Sequence, residues 1–224
     1  MADKNNRKVK KESNKAVDNE ISDALEDIMD NKEIDKFIEL IKLSKQQNDH
    51  DVLELSTGFI EQHENGVEMF LKIAIHLEPK NPHHHYNYAL FLETQRAYEQ
   101  AQNEFEMAIQ LDMDNDSFHT DYANLLFLLE DYEAAERQYK AALGINPKNV
   151  HVLTNLGKLY HQNKQHNKAE KALKRAIDID PKFPLSYINL LQIYKDQGEN
   201  NKANVIWKKF RTIERKILNI DDLK

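Results

Sequence analysis

From Asn48 to Ile217 the hydrophobic pattern repeats every 34 residues in five segments without an insertion. A fixed period of roughly 20–50 residues marks a stacked array rather than one globular core. Small residues recur in register at Ala101, Ala135, Ala169 and Ala203, with Val67 in the same slot of the first segment. A second small set follows at Ala74, Ala108, Ala142 and Ala176, with Phe210 last. Between the two sets lies a large apolar set, Leu71, Phe105, Tyr139, Leu173 and Trp207. The punctuation repeats too, with Pro79, Pro147 and Pro181, and Met113 in the equivalent place.

Each segment reads as two antiparallel helices. In the third, Tyr122, Ala123 and Leu126 form the inner face of the first helix, a turn falls near Glu130–Asp131, and Ala135, Tyr139 and Ala142 line the second helix. Small residues in such slots let two backbones approach, whereas a large side chain would overpack. Asn146–Pro147 ends the second helix, because the residue before proline avoids the helical region and proline lacks an amide donor. The last segment has Arg215 in the proline slot, so its second helix is expected to run to about Ile217. Its basic residues Lys208, Lys209, Arg211, Arg215 and Lys216 would complement the helix dipole.

Upstream, residues 1–16 are rich in Lys, Asn and Ser without apolar periodicity, and are expected to be a disordered basic tail. Ile21, Leu25 and Ile28 share one helical face, and Asp30 followed by Glu33 resembles a helix start before a second stripe of Ile34, Phe37, Ile38 and Ile41. Residues 17–47 are therefore expected to be a helical pair capping the open end of the stack. Five segments follow at 48–81, 82–115, 116–149, 150–183 and 184–217, and 218–224 form a C-terminal tail.

These spacings and residue types resemble the tetratricopeptide repeat, a helix–turn–helix of the same length. One characteristic slot holds Leu55, Ala89, Ala123, Gly157 and Leu191; another, usually large, holds Gly58, Leu92, Leu126, Tyr160 and Tyr194. The middle three segments match well, and the first departs at Glu54 and Gly58, the fifth at Leu191 and Phe210. The resemblance implies an all-α fold, an α-solenoid in which antiparallel helix pairs form a right-handed superhelix and the first helices line a concave groove. Family members commonly bind a peptide or partner segment there. Carried over residue by residue, the peptide-binding groove would hold Tyr86, Asn87, Leu90, Asp121, Asn124, Phe127, Asn155, Lys158, Asn189 and Lys195. Asn87, Asn155 and Asn189 would pair with an extended peptide's backbone, since an amide both donates and accepts. Tyr86, Leu90 and Phe127 would take apolar side chains, and Lys158 and Lys195 would favour an acidic ligand.

Chaperone-binding members of the family grip a C-terminal carboxylate with cations. Asn124 and Asn155 match that pattern, but Thr120, Leu185 and Asn189 stand where the cations belong, so the carboxylate would be left unpaired.

Composition narrows the alternatives. The 224 residues include no cysteine, which excludes disulfides, thiolate metal sites and a cysteine nucleophile and suits a reducing cytoplasm. No apolar stretch is long enough to span a membrane. Residues 1–15 carry six lysines or arginines against two acidic residues, and 201–224 carry seven against three; each end is +4, so with −7 overall the middle is −15. An acidic middle argues against general nucleic-acid binding, while the basic ends leave weak contact with nucleic acid or acidic surfaces as one alternative.

His83, His84 and His85 are consecutive and diverge around a helix, so they do not converge on a metal. Asp112, Asp114 and Asp116 alternate as in a calcium loop, but Ser117 and Ala123 occupy the places of its glycine and glutamate, and N-capping by Asp116 accounts for that residue better. The five glycines are scattered and form no phosphate loop. The expectation is thus a non-enzymatic adaptor or scaffold with no cofactor, small-molecule substrate or membrane partner, binding protein or peptide. Self-association through the 17–47 helices, giving a homo-oligomer, or their folding over the groove as an internal ligand, is the structural alternative.

Overall fold

The computed structural model describes residues 66–217. The expectations for residues 1–16, 17–47 and 218–224, and for the first helix of the opening segment, lie outside the described residues. Within them every regular element is an α-helix: α1 (Gly66–Leu77), α2 (Pro82–Thr94), α3 (Tyr98–Leu111), α4 (Asp116–Leu128), α5 (Tyr132–Ile145), α6 (Val150–Gln162), α7 (His166–Ile179), α8 (Pro184–Asp196) and α9 (Asn200–Ile217). Helices α2, α4, α6 and α8 start at Pro82, Asp116, Val150 and Pro184, a spacing of 34 residues each time. No helix among the described residues is long and apolar enough to cross a membrane. The described residues divide into two compact units, one up to Phe91 and one from Leu92.

In the first unit Met69, Ile73, Tyr88 and Ala89 are buried. The Tyr88 hydroxyl donates to Glu68 at 3.2 Å, and Lys72 pairs with the same carboxylate at 2.7 Å. Asn81 accepts from the His83 amide at 3.1 Å and Pro82 opens α2, where its missing N–H costs nothing.

In the second unit each helix packs against its successor from α3 to α9, and the first helices α4, α6 and α8 also pack in series. That layering is an α-solenoid. Local chemistry sets the helix starts: Asn149 accepts from the Val152 amide and Asp131 from the Ala134 amide. Asp116 differs from the sequence expectation. Asn115, with extended φ and ψ of −97° and 103°, is the cap and accepts from the Ser117 amide. Asp116 is instead the first helical residue, and its Oδ2 accepts from Asn146 at 3.2 Å and Asn149 at 3.0 Å, tying the start of α4 to the turn after α5. The turns within pairs place Arg96, Glu130, Lys164 and Gly198 at φ of 61°, 63°, 56° and 70°, all in the left-handed region and in register.

The small slots are filled as their size requires: Ala101, Ala108, Ala135, Ala142, Ala169 and Ala176 are fully buried. The large residues between them, Phe105, Tyr139 and Leu173, are at most 1% exposed. Trp207 holds the same register on α9 yet is 47% exposed, because no described helix follows to cover it.

Two further devices join neighbouring pairs. Tyrosines on first helices donate to glutamates on the preceding second helix, Tyr122 to Glu106 at 2.7 Å and Tyr160 to Glu136 at 2.9 Å. Rings near the start of first helices bond the turn before them: His119 Nε2 to the Met113 carbonyl at 3.2 Å and the Tyr187 hydroxyl to the Pro181 carbonyl at 3.1 Å. His85 and the Pro79 carbonyl do the same in the first unit.

Candidate functional site

Side chains three, four or seven residues apart share a face of a helix. On α4 that spacing aligns Asp121, Asn124 and Leu128, and on α6 Asn155, Lys158 and Gln162. In the second unit these faces bound a cleft of about 550 Å³, lined also by Glu93, Phe127, Glu130, Tyr132 and Tyr139.

A polar chain stiffens the cleft wall. The Tyr139 hydroxyl donates to Asn124 Oδ1 at 2.6 Å, and Asn155 Nδ2 donates to the same oxygen at 2.9 Å. Asn124 Nδ2 in turn donates to Asp121 at 3.2 Å. Burial pushes the Tyr139 hydroxyl well above the usual tyrosine range, so it stays a neutral donor. Asn155 is thus held by Asn124 and, through its side chain, by the Tyr139 hydroxyl as well.

The other groups supply apolar surface and charge. The Phe127 and Tyr132 rings lie 5.6 Å apart between centroids, and Lys158 Nζ sits 5.0 Å from the Phe127 ring. The Glu93 carboxyl is raised above its ordinary value, first by burial and then by the negative charge of Asp121. The cleft thus combines an aromatic wall, amides held in place, a cation on its α6 side and a carboxyl on α2.

Of the residues expected from sequence, the structure gathers Asn124, Phe127, Asn155 and Lys158 at this cleft, with Asp121 bonded into its wall. Asn189, half-buried, and Lys195, exposed, lie on α8 and are not among the lining residues. Tyr86, Asn87 and Leu90 lie on α2 in the first unit, where Asn87 is exposed and the other two are half-buried. The repeat register places Tyr139 in a packing slot, yet its hydroxyl also joins the cleft wall. A signal was available, since it puts a hydroxyl where Phe105 and Leu173 have none, and a buried hydroxyl needs a partner. Among the described residues no three His, Asp or Glu side chains gather as metal ligands; His84 instead pairs with Glu78 at 3.1 Å.

A family model for the tetratricopeptide repeat matches residues 126–192, from within α4 to within α8. Over this stretch the chain carries the tetratricopeptide repeat pattern. Solved structures of this repeat type superpose on the chain. A crystal structure of MamA matches with a TM-score of 0.64 and 20% identity over 69% of this chain and 91% of that one. A tetratricopeptide repeat protein from Parabacteroides merdae gives 0.62 and 21%, covering 80% and 66%. The first such domain of Spaghetti (RPAP3), bound to the HSP90 peptide SRMEEVD, gives 0.50 and 17%, covering 53% and 94%. At these identities the likeness is one of fold. No curated protein matches the sequence.

Proposed function

We propose that this repeat protein is a non-enzymatic protein–protein interaction module that binds a peptide or partner segment on α4 and α6. The observation that carries the reading is the cleft of about 550 Å³, whose Asn124–Asn155 amides are held in place beside an aromatic wall. A pocket with apolar surface and a few fixed polar groups is the usual form of a binding site. A cytoplasmic adaptor role goes with it, since a chain without cysteine suits a reducing compartment. The Spaghetti domain holds its peptide on this fold. In this chain Thr120, Leu185 and Asn189 replace the cations that would fix a terminal carboxylate, so an internal segment is the better ligand class. Phe127 would take an apolar side chain, Asn155 would pair with backbone, and Lys158 would favour an acidic residue. Asn87, Asn189, Tyr86, Leu90 and Lys195 remain proposed contacts for a longer ligand.

Selection from a random displayed-peptide library against the full chain tests this. The expected result is an enriched family of sequences whose affinity falls about tenfold or more with Phe127→Ala and with Asn155→Ala. Enriched peptides that bind both variants as well as wild type would overturn the assignment.

A further inference from the structure

Among the described residues α9 ends the second unit, and its outer face has a shape and a charge that this chain itself can complement. In the interior of the stack the large slot is sandwiched: the Phe105 ring is covered by Tyr122 of the following first helix, with centroids 5.7 Å apart. Phe105 and Leu173 are accordingly fully buried, whereas Trp207 is 47% and Val205 66% exposed. What covers this slot elsewhere is an α-helix. The surface around Trp207 is cationic. Lys208, Lys209, Arg211 and Arg215 are exposed, Arg211 lies 6.0 Å from the indole centroid, and Glu214 is the one carboxylate between Val205 and Arg215. A fitting occupant is therefore a helix with an apolar stripe and a strongly acidic remainder.

Residues 17–30 have that composition. They carry six acidic and no basic residues, and Ile21, Leu25 and Ile28 recur at the spacing of one helical face. We propose that residues 17–30 of one copy dock on α9 of a second copy, covering Trp207 as a following helix would and pairing their carboxylates with Lys208 and Arg211. Such a contact is head-to-tail, so it propagates beyond a dimer unless the rotation closes a ring. It is also weakened by salt, because its charges lie at the surface.

Trp207 is the chain's single tryptophan and reports on this surface directly. Sedimentation velocity and tryptophan emission would be measured on the full chain across a concentration series, for wild type, K208E/R211E, and D23K/E26K/D27K. Circular dichroism confirms that each is helical. The expected result is mass growth with a parallel blue shift in wild type, and association weakened about tenfold or more in either charge variant alone. Mixing the two variants restores it, because the reversed charges complement each other again. A monomer with constant emission throughout would overturn the proposal, as would a blue-shifted monomer, which would put the cover within one copy. Association unchanged in both variants would overturn it as well.

Discussion

The α4–α6 region and the α8–α9 region follow one 34-residue register, yet they meet solvent differently. In the first, Tyr139 is sealed between helices and its hydroxyl enters a polar chain with Asn124. In the second, the equivalent Trp207 is half exposed beneath an arginine. The residue type is large and aromatic in both. The difference comes from the next helix, present in one case and absent from the described residues in the other, so burial in this array is conferred by the neighbour as much as by the side chain.

The sharpest way to break the comparison is truncation at the shared slot. Tyr139→Ala should cost about 3–5 kcal/mol, the usual range for removing a buried aromatic ring, whereas Trp207→Ala should cost less than about 1 kcal/mol. Urea unfolding at low protein concentration reads both, and equal costs would show that the two slots are packed alike.

A smaller contrast concerns two helical glycines. A Cβ on Gly157 would come within 2.6 Å of Leu173 Cγ, while one on Gly144 meets nothing within 4 Å. Gly157→Ala is expected to destabilise by about 1–2 kcal/mol even after its gain in helix propensity, and Gly144→Ala to stabilise by about 0.5–1 kcal/mol. Opposite shifts in the unfolding midpoint would support this reading of the contacts.

The mildest contrast is in pH. Burial works against ionisation of Glu136, but bonds from Lys140 and Tyr160 outweigh it and lower the carboxyl below its ordinary value; Lys174 and Tyr194 do the same for Glu170. A lowered native value means the unfolded chain binds more protons, so this stability is present above about pH 4.5 and is lost as pH falls through the native value. Glu93 has the reverse sign. Its raised carboxyl contributes a cost that grows as pH rises through the native value. Glu136→Gln should therefore flatten the acid limb of stability against pH. Glu93→Gln should raise stability at neutral pH, and a lower neutral midpoint would contradict the desolvation account.

Much of the architecture was legible because it rests on local rules repeated in register. The helix starts, the turn at Glu130–Asp131, the stop at Asn146–Pro147 and the continuation of α9 through Arg215 follow from apolar spacing, proline and small-residue slots. What stayed hidden depends on three-dimensional neighbours. Nothing local distinguishes Asn115 from Asp116 as the cap, since both side chains can accept an amide hydrogen. The left-handed turn residue is glycine only at Gly198, so Arg96, Glu130 and Lys164 carried no signal for it. The bonds from His119 and Tyr187 to turn carbonyls need the fold to become visible. For the site, the α4 and α6 faces could be read from helical spacing, whereas the part of Tyr139 in the cleft wall emerged only with its bond to Asn124.

The most direct test of the central claim is amide hydrogen exchange on the full chain with and without a library-selected peptide. Binding in the cleft predicts added protection on α4 and α6, lost with Phe127→Ala, and unchanged exchange on α9. Protection confined to α8 and α9, or its persistence in Phe127→Ala, would contradict the account and move the ligand site to the end of the stack.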